Sequence, residues 1–99
     1  MKIISCEELK QKKENGEDII ILDVRNTDEF EAGHIEGAIN VPLHLLPLKI
    51  EQTIPDKDAS IMCNCQSGGR SALATQTLQK MGYTHVYNLK GGYSEYACM

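Results

Sequence analysis

The sequence lacks a surplus of positive charge. Its 10 lysines and arginines stand against 14 aspartates and glutamates, a formal net charge of −4 over 99 residues. That balance argues against a nucleic-acid binder, which would carry a basic patch or a high pI. No run approaches the ~20 apolar residues that span a bilayer, and the start, MKIISCEELKQKK, has no apolar stretch of the kind that directs export. The expectation is a cytoplasmic protein without nucleic-acid or membrane partners. Repeats, low-complexity tracts and linkers are missing too, with glycine and proline spread as punctuation. A chain of this length is expected to form one domain over residues 1–99. The hydrophobic fraction of 41% and charged fraction of 24% suit a globular protein rather than a disordered one. In a reducing compartment the four cysteines point to catalytic, metal-binding or buried thiols rather than two disulfides.

Strand and helix patterns alternate along the chain. Ser5 with Glu8 three residues on forms a capping box and predicts a helix from about Cys6 to Lys13, stopped by Asn15-Gly16. Ile19-Ile20-Ile21-Leu22 is apolar at every position, which suits a strand buried on both faces, as in a parallel sheet covered by helices. Asp28 to Ala32 reads as one helical turn closed by Gly33, and Ala38 to Val41 as a short strand. From Leu43 to Thr53 the pattern is helical, with Pro47 at a helix start or a kink. Ser60 to Cys63 predicts a third buried strand. The glycine-bearing turn CQSGGRS (65–71) follows, then a helix with Leu73, Ala74, Thr77, Leu78 and Met81 inward and Gly82 as its stop. A last strand over His85–Leu89 leads through Gly91-Gly92 into a short terminal helix. The reading is an α/β layer fold with a mostly parallel sheet. Ligands of such folds bind beyond the carboxyl ends of the strands, where Cys65 lies.

Strand, cysteine, glycine loop, helix: each part has a chemical use. Gly68 and Gly69 allow conformations in which successive N–H groups point inward as an anion-binding nest. The helix that follows adds unpaired N–H groups and the positive end of its dipole. A cysteine at the mouth of that cup is held as thiolate. At a free pKa near 8.5 only ~7% of a thiol is ionised at pH 7.4, and a drop of about two units makes it ~90%. Two units is about 2.7 kcal/mol, within reach of a helix terminus plus several N–H bonds. No general base is then required.

Three segments carry a resemblance. LDVRNTDEFEAGHIEGAINVPL (22–43), CQSGGRS (65–71) and YNLKGGYSEY (87–96) resemble, in order and spacing, the N-terminal signature, active-site loop and C-terminal glycine motif of the rhodanese (sulfurtransferase) family. Together they span nearly the whole chain. The resemblance implies a rhodanese-like α/β domain with a mainly parallel five-stranded sheet, helices on both faces, and a cysteine that carries sulfane sulfur as a persulfide. That role falls on Cys65, and the cup of main-chain donors on Gln66, Ser67, Gly68, Gly69 and Arg70. The implied reaction moves sulfur from a small anionic donor, thiosulfate-like or a persulfide, to a thiophilic acceptor. The acceptor is cyanide in an assay and a thiol or protein cysteine in the cell. Arg70 is expected to attract the donor and lower the thiol pKa further. The family often has a tryptophan after its last glycine pair; this chain has Tyr96 and no tryptophan, a change expected to affect packing rather than chemistry.

Other residues have structural readings. Asp23 and Arg25 are expected to tie loops together, Arg25 through Asp28 or Glu29, and His34 to make a buried structural hydrogen bond. Cys63 and Cys65 lie two strand rises apart, roughly 6.6 Å, with parallel side chains. That favours packing of Cys63 over a reversible disulfide or sulfur relay. C-x-C spacing is poor for zinc, so no metal or cofactor is expected. Two other functions share this type of fold. Phosphatases and arsenate reductases that resemble it carry C-x5-R, one residue longer than Cys65-x4-Arg70, and the shorter ring suits a single sulfur better than a tetrahedral oxyanion. A non-catalytic binding module would be marked by loss of the nucleophile, which is present here.

Overall fold

The chain alternates strand and helix, element by element. In the computed structural model, which describes residues 2–99, the elements are β1 (Lys2–Ile4), α1 (Cys6–Glu14), β2 (Ile20–Asp23), α2 (Thr27–Ala32) and β3 (Ile39–Asn40). A 3₁₀ turn over Leu43–Leu45 follows, then α3 (Leu46–Thr53), β4 (Ser60–Asn64), α4 (Gly69–Lys80), β5 (His85–Leu89) and α5 (Gly92–Ala97). The five strands form one sheet in the order β1-β5-β4-β2-β3, every neighbouring pair parallel. The expected α/β architecture, a parallel five-stranded sheet with helices, is borne out.

Both faces of the sheet are covered, which explains why its inner strands show no polar alternation. Leu22, Ile61 and Cys63 join Leu46 and Ile50 of α3, Ile54 just after it, and Ala74 and Leu78 of α4 in one core. Ile21 and Met62 point the other way, against Cys6 and Leu9 of α1, with Tyr93 and Tyr96 of α5 at the margin. Local signals set the helix ends. Glu8 N–H donates to Ser5 Oγ at 3.1 Å at the start of α1, and Asn26 N–H donates to Glu29 Oε1 at 3.1 Å at the start of α2. Pro47 sits in the first turn of α3, where its missing N–H costs nothing.

The structure adds one element and corrects another. β1 is absent from the sequence reading: it is three residues long, lies at the sheet edge, and leaves Ile3 60% exposed. On α4, Leu73 is 57% exposed rather than inward, and the buried stripe is Ser71, Ala74, Thr75 and Leu78. The stripe has a helical period, but two of its members are polar. Thr75 Oγ1 donates to Ser71 O at 2.8 Å, so its hydroxyl is satisfied inside the core.

Because all strands run the same way, the carboxyl ends of β2, β4 and β5 meet at one edge. Asp23 pairs in register with Asn64, and Cys63 with Asn88. Cys65, the Asp23–Arg25 segment and the start of α5 converge there. No helix among the described residues is long and apolar enough to cross a membrane.

Candidate active site

Cys65 follows β4 directly and is 1% exposed. The chain then turns through Gly68, whose φ of +116° admits glycine readily, into α4. This turn brings Gly68 N–H to 3.0 Å from Cys65 Sγ, and Ser71 Oγ to 3.5 Å. Burial pushes the Cys65 thiol pKa up, but the Ser71 hydroxyl and the amides of Ser71, Gly68 and Ser67 outweigh it, and the net shift is downward. Ser71 has one hydroxyl proton and three acceptors around it: the sulfur, Gly68 O at 3.2 Å, and Asn88 Oδ1 at 2.5 Å. A thiolate, being charged, competes best for that proton.

The loop's carbonyls are tied off on its other side. Tyr93 N–H donates to Cys65 O at 2.8 Å and Ser94 N–H to Gln66 O at 3.0 Å, so the first turn of α5 caps the loop from behind. Gly68 O receives Asn88 Nδ2 at 3.3 Å and Ala72 N–H at 3.1 Å. With these carbonyls held away, the amides of Ser67, Gly68 and Ser71 are left to face the sulfur. The Gly91-Gly92 pair permits the approach. A Cβ on Gly92 would stand 2.6 Å from Cys65 O and 2.7 Å from Gln66 O, and its φ is +60°.

Several expectations need revision. Around the resting sulfur the donors are Ser67, Gly68 and Ser71. Arg70 does not stand as a free cation beside the thiol: its Nη1 and Nη2 grip Glu29 Oε1 and Oε2 at 2.7 and 3.0 Å. The fork of hydrogen bonds from Arg70 holds the Glu29 carboxyl down to about 2. Arg25, expected on Asp28 or Glu29, instead pairs with Asp23, with Nη2 to Oδ2 at 2.8 Å and both side chains buried. It does tie loops together, donating to Gly33 O at 2.7 Å and Gln66 Oε1 at 3.3 Å while its guanidinium covers the Tyr93 ring at 4.5 Å. His34 is exposed rather than buried. Its Nδ1 bonds Phe30 O at 2.8 Å and its ring stacks on Phe30, so the role is structural even at the surface.

Cys65 also lies deeper than the mouth of the cup. The Cys63 thiol is fully buried, and burial pushes it up to about 12. Cys63 is neutral core packing at working pH, and both thiols are free. Among the described residues no three His, Cys, Asp or Glu side chains cluster as a metal would need. Next to the loop lies a cavity of about 280 Å³ lined by Arg25, Glu29, Ala32, Gly33, Gln66 and Tyr93. Sequence reasoning missed Ser71, Asn88 and Glu29 as parts of this site. Ser71 and Glu29 sat inside quoted motifs, but their partners lie 17 and 41 residues away.

Comparison with known proteins places this geometry in context. The family model described as the rhodanese-like domain matches residues 5–97. A sulfurtransferase of Allochromatium vinosum is 38% identical over 89 residues, covering 90% of this chain and 81% of its own. Thiosulfate sulfurtransferase PspE of Escherichia coli is 39% identical over 70 residues, or 71% of this chain and 67% of its own. Human single-domain sulfurtransferase TSTD1 superposes with a TM-score of 0.85 at 29% identity, covering 98% of this chain and 96% of its own.

Proposed function

This chain belongs to the rhodanese-like domain family, and from that premise we propose that it transfers sulfane sulfur through a persulfide on Cys65. The observation that supports this is the convergence of Ser67, Gly68 and Ser71 donors on one sulfur whose pKa is lowered despite burial. In the first step the Cys65 thiolate attacks the outer sulfur of a donor. With thiosulfate, the S–S bond breaks, sulfite leaves with the bonding pair, and Cys65–S–S⁻ remains. The amides of Gln66, Gly69 and Arg70, which the resting sulfur does not use, receive the outer sulfur and spread its charge as an oxyanion hole would. A thiophilic acceptor then takes that sulfur: cyanide in an assay, a thiol or a protein cysteine in the cell. The free enzyme is regenerated in ping-pong fashion. No residue is asked to act as a base.

The burial of Cys65 favours a second reading, a binding module that keeps its cysteine without using it. One measurement separates the two. The protein is incubated with thiosulfate or an organic thiosulfonate and its intact mass is recorded. Transfer adds one sulfur atom, cyanide removes it, and Cys65→Ser never gains it. An unchanged mass with every donor leaves the module. Hydrolysis of p-nitrophenyl phosphate without a mass gain would point instead to phosphatase chemistry.

A further inference from the structure

The two cations beside the loop are both spent. Arg25 is held by buried Asp23, and Arg70 is gripped by both oxygens of Glu29. With Cys65 ionised, these groups sum to one negative charge, and the N–H donors around the sulfur add dipoles but no net charge. A small dianion entering this space meets no uncompensated positive group from these pairs. The cavity beside Gln66 is about 280 Å³ and is walled in part by Ala32, Gly33 and the Tyr93 ring, surfaces that suit an organic body.

We propose that Glu29, by neutralising Arg70, sets the donor specificity of the site in favour of low-charge organic sulfane donors over small inorganic dianions. Glu29 is then a positioning residue acting through Arg70, and this inference rests on the Cys65 persulfide reading. Both donor classes react alike at sulfur. A thiosulfonate R–SO₂–S⁻ gives up its outer sulfur to the thiolate as the S–S bond breaks, and the sulfinate R–SO₂⁻ leaves with the electron pair. Only the charge and bulk of the leaving group differ, so the pair isolates recognition from chemistry.

The test compares thiosulfate with methanethiosulfonate on wild type, Glu29→Gln and the double variant Glu29→Gln/Arg70→Gln, with cyanide as acceptor. Glutamine at this position of a capping box still reaches the Asn26 amide, so α2 keeps its start. In Glu29→Gln each unit of donor charge gains the same factor from the freed guanidinium. KM for thiosulfate should fall about tenfold and that for the monoanion about threefold, with kcat little changed. Added salt should erase the gain, and the double variant should restore the wild-type ratio of the two KM values. Should Glu29→Gln fold poorly, wild type supplies its own check: with one net negative charge at the site, its thiosulfate KM should fall rather than rise as ionic strength increases. An unshifted ratio in Glu29→Gln, or a wild-type thiosulfate KM that rises steeply with salt, overturns the role of Glu29 while leaving the persulfide intact. A wild-type protein that gains no sulfur from either donor overturns the persulfide reading and this inference with it.

Discussion

Replacing Gly92 by alanine tests whether the C-terminal glycine pair shapes the reactivity of Cys65 rather than merely closing the fold. The new methyl group would stand 2.6 Å from Cys65 O and 2.7 Å from Gln66 O, far inside contact distance, at a residue whose φ is +60°. A left-handed alanine costs about 1–2 kcal/mol, and forced overpacking about 1–3 kcal/mol. The cheaper response is for the first turn of α5 to draw back, giving up the Tyr93 and Ser94 bonds to the loop carbonyls at about 1 kcal/mol each. The first route destabilises by about 2–5 kcal/mol and the second by about 2 kcal/mol, a large part of what a domain this size holds. Once released, the 65–66 and 66–67 peptides can rotate, and the sulfur loses amide contact. A hydrogen bond to a charged acceptor is worth about 1.5–3 kcal/mol, and one pKa unit is about 1.4 kcal/mol. The Cys65 pKa should therefore rise by about one to two units.

The assay is iodoacetamide alkylation across pH, with the Cys65 peptide followed by mass spectrometry in a Cys98→Ser background, because Cys98 is exposed. A thermal melt runs beside it. A lower Tm with an unmoved alkylation midpoint would refute the reasoning, since the clamp would then hold α5 without orienting the loop.

Three further outcomes follow from the same geometry. Ser71→Ala should raise the alkylation midpoint of Cys65 by about one unit and lower the Tm, because the one hydroxyl proton for which Cys65 Sγ and Asn88 Oδ1 compete is lost to both. Cys63→Val should relieve a loss of stability at alkaline pH: a buried thiol raised from 9.0 to about 12 contributes stability that is full below the unfolded pKa and lost as pH climbs from 9 toward 12. Urea midpoints of the two proteins at neutral and alkaline pH measure that difference. Asn64→Leu should stabilise, because both side-chain polar atoms of Asn64 are buried without a partner among the described residues. A gain of about 1 kcal/mol, or ~4–8 °C in Tm, is the expected size.

What could be read from the sequence was what neighbours in the chain decide. The Ser5–Glu8 cap, the stop at Asn15-Gly16, the strands over Ile20–Asp23 and Ser60–Asn64, and the turn into α4 all rest on contacts a few residues long. The family resemblance carried the sheet and the position of Cys65 as well. The rest depends on which segments the sheet brings together. Arg25 has carboxylates at residues 28 and 29 within easy reach, yet it folds back on Asp23, because β2 ends between β3 and β4 and its buried Asp23 must be paired in place. Glu29 is thereby left to Arg70, 41 residues on. The inner face of α4 misled for a related reason. Ser71 is buried against Asn88 of β5 and Thr75 on the carbonyl one turn back in its own helix, and a hydropathy pattern gives polar residues no credit for either partner.

The same distinction explains why the loop motif alone would not make a reactive thiol. CQSGGRS supplies glycines and amides, but a flexible glycine loop can turn its N–H groups either way. Its direction is set by donors outside the loop that hold its carbonyls: Cys65 O and Gln66 O accept from the N–H groups of α5, and Gly68 O from Asn88 of β5. With its carbonyls held outward, the turn presents Ser67, Gly68 and Ser71 amides to the sulfur. The chemistry proposed for Cys65 therefore depends on β5 and α5 as much as on its own segment. An isolated peptide of residues 60–80 should accordingly show a Cys65 alkylation midpoint near that of an ordinary thiol, about 8.5. A midpoint already depressed in that peptide would transfer the effect back to the loop and the helix that follows it.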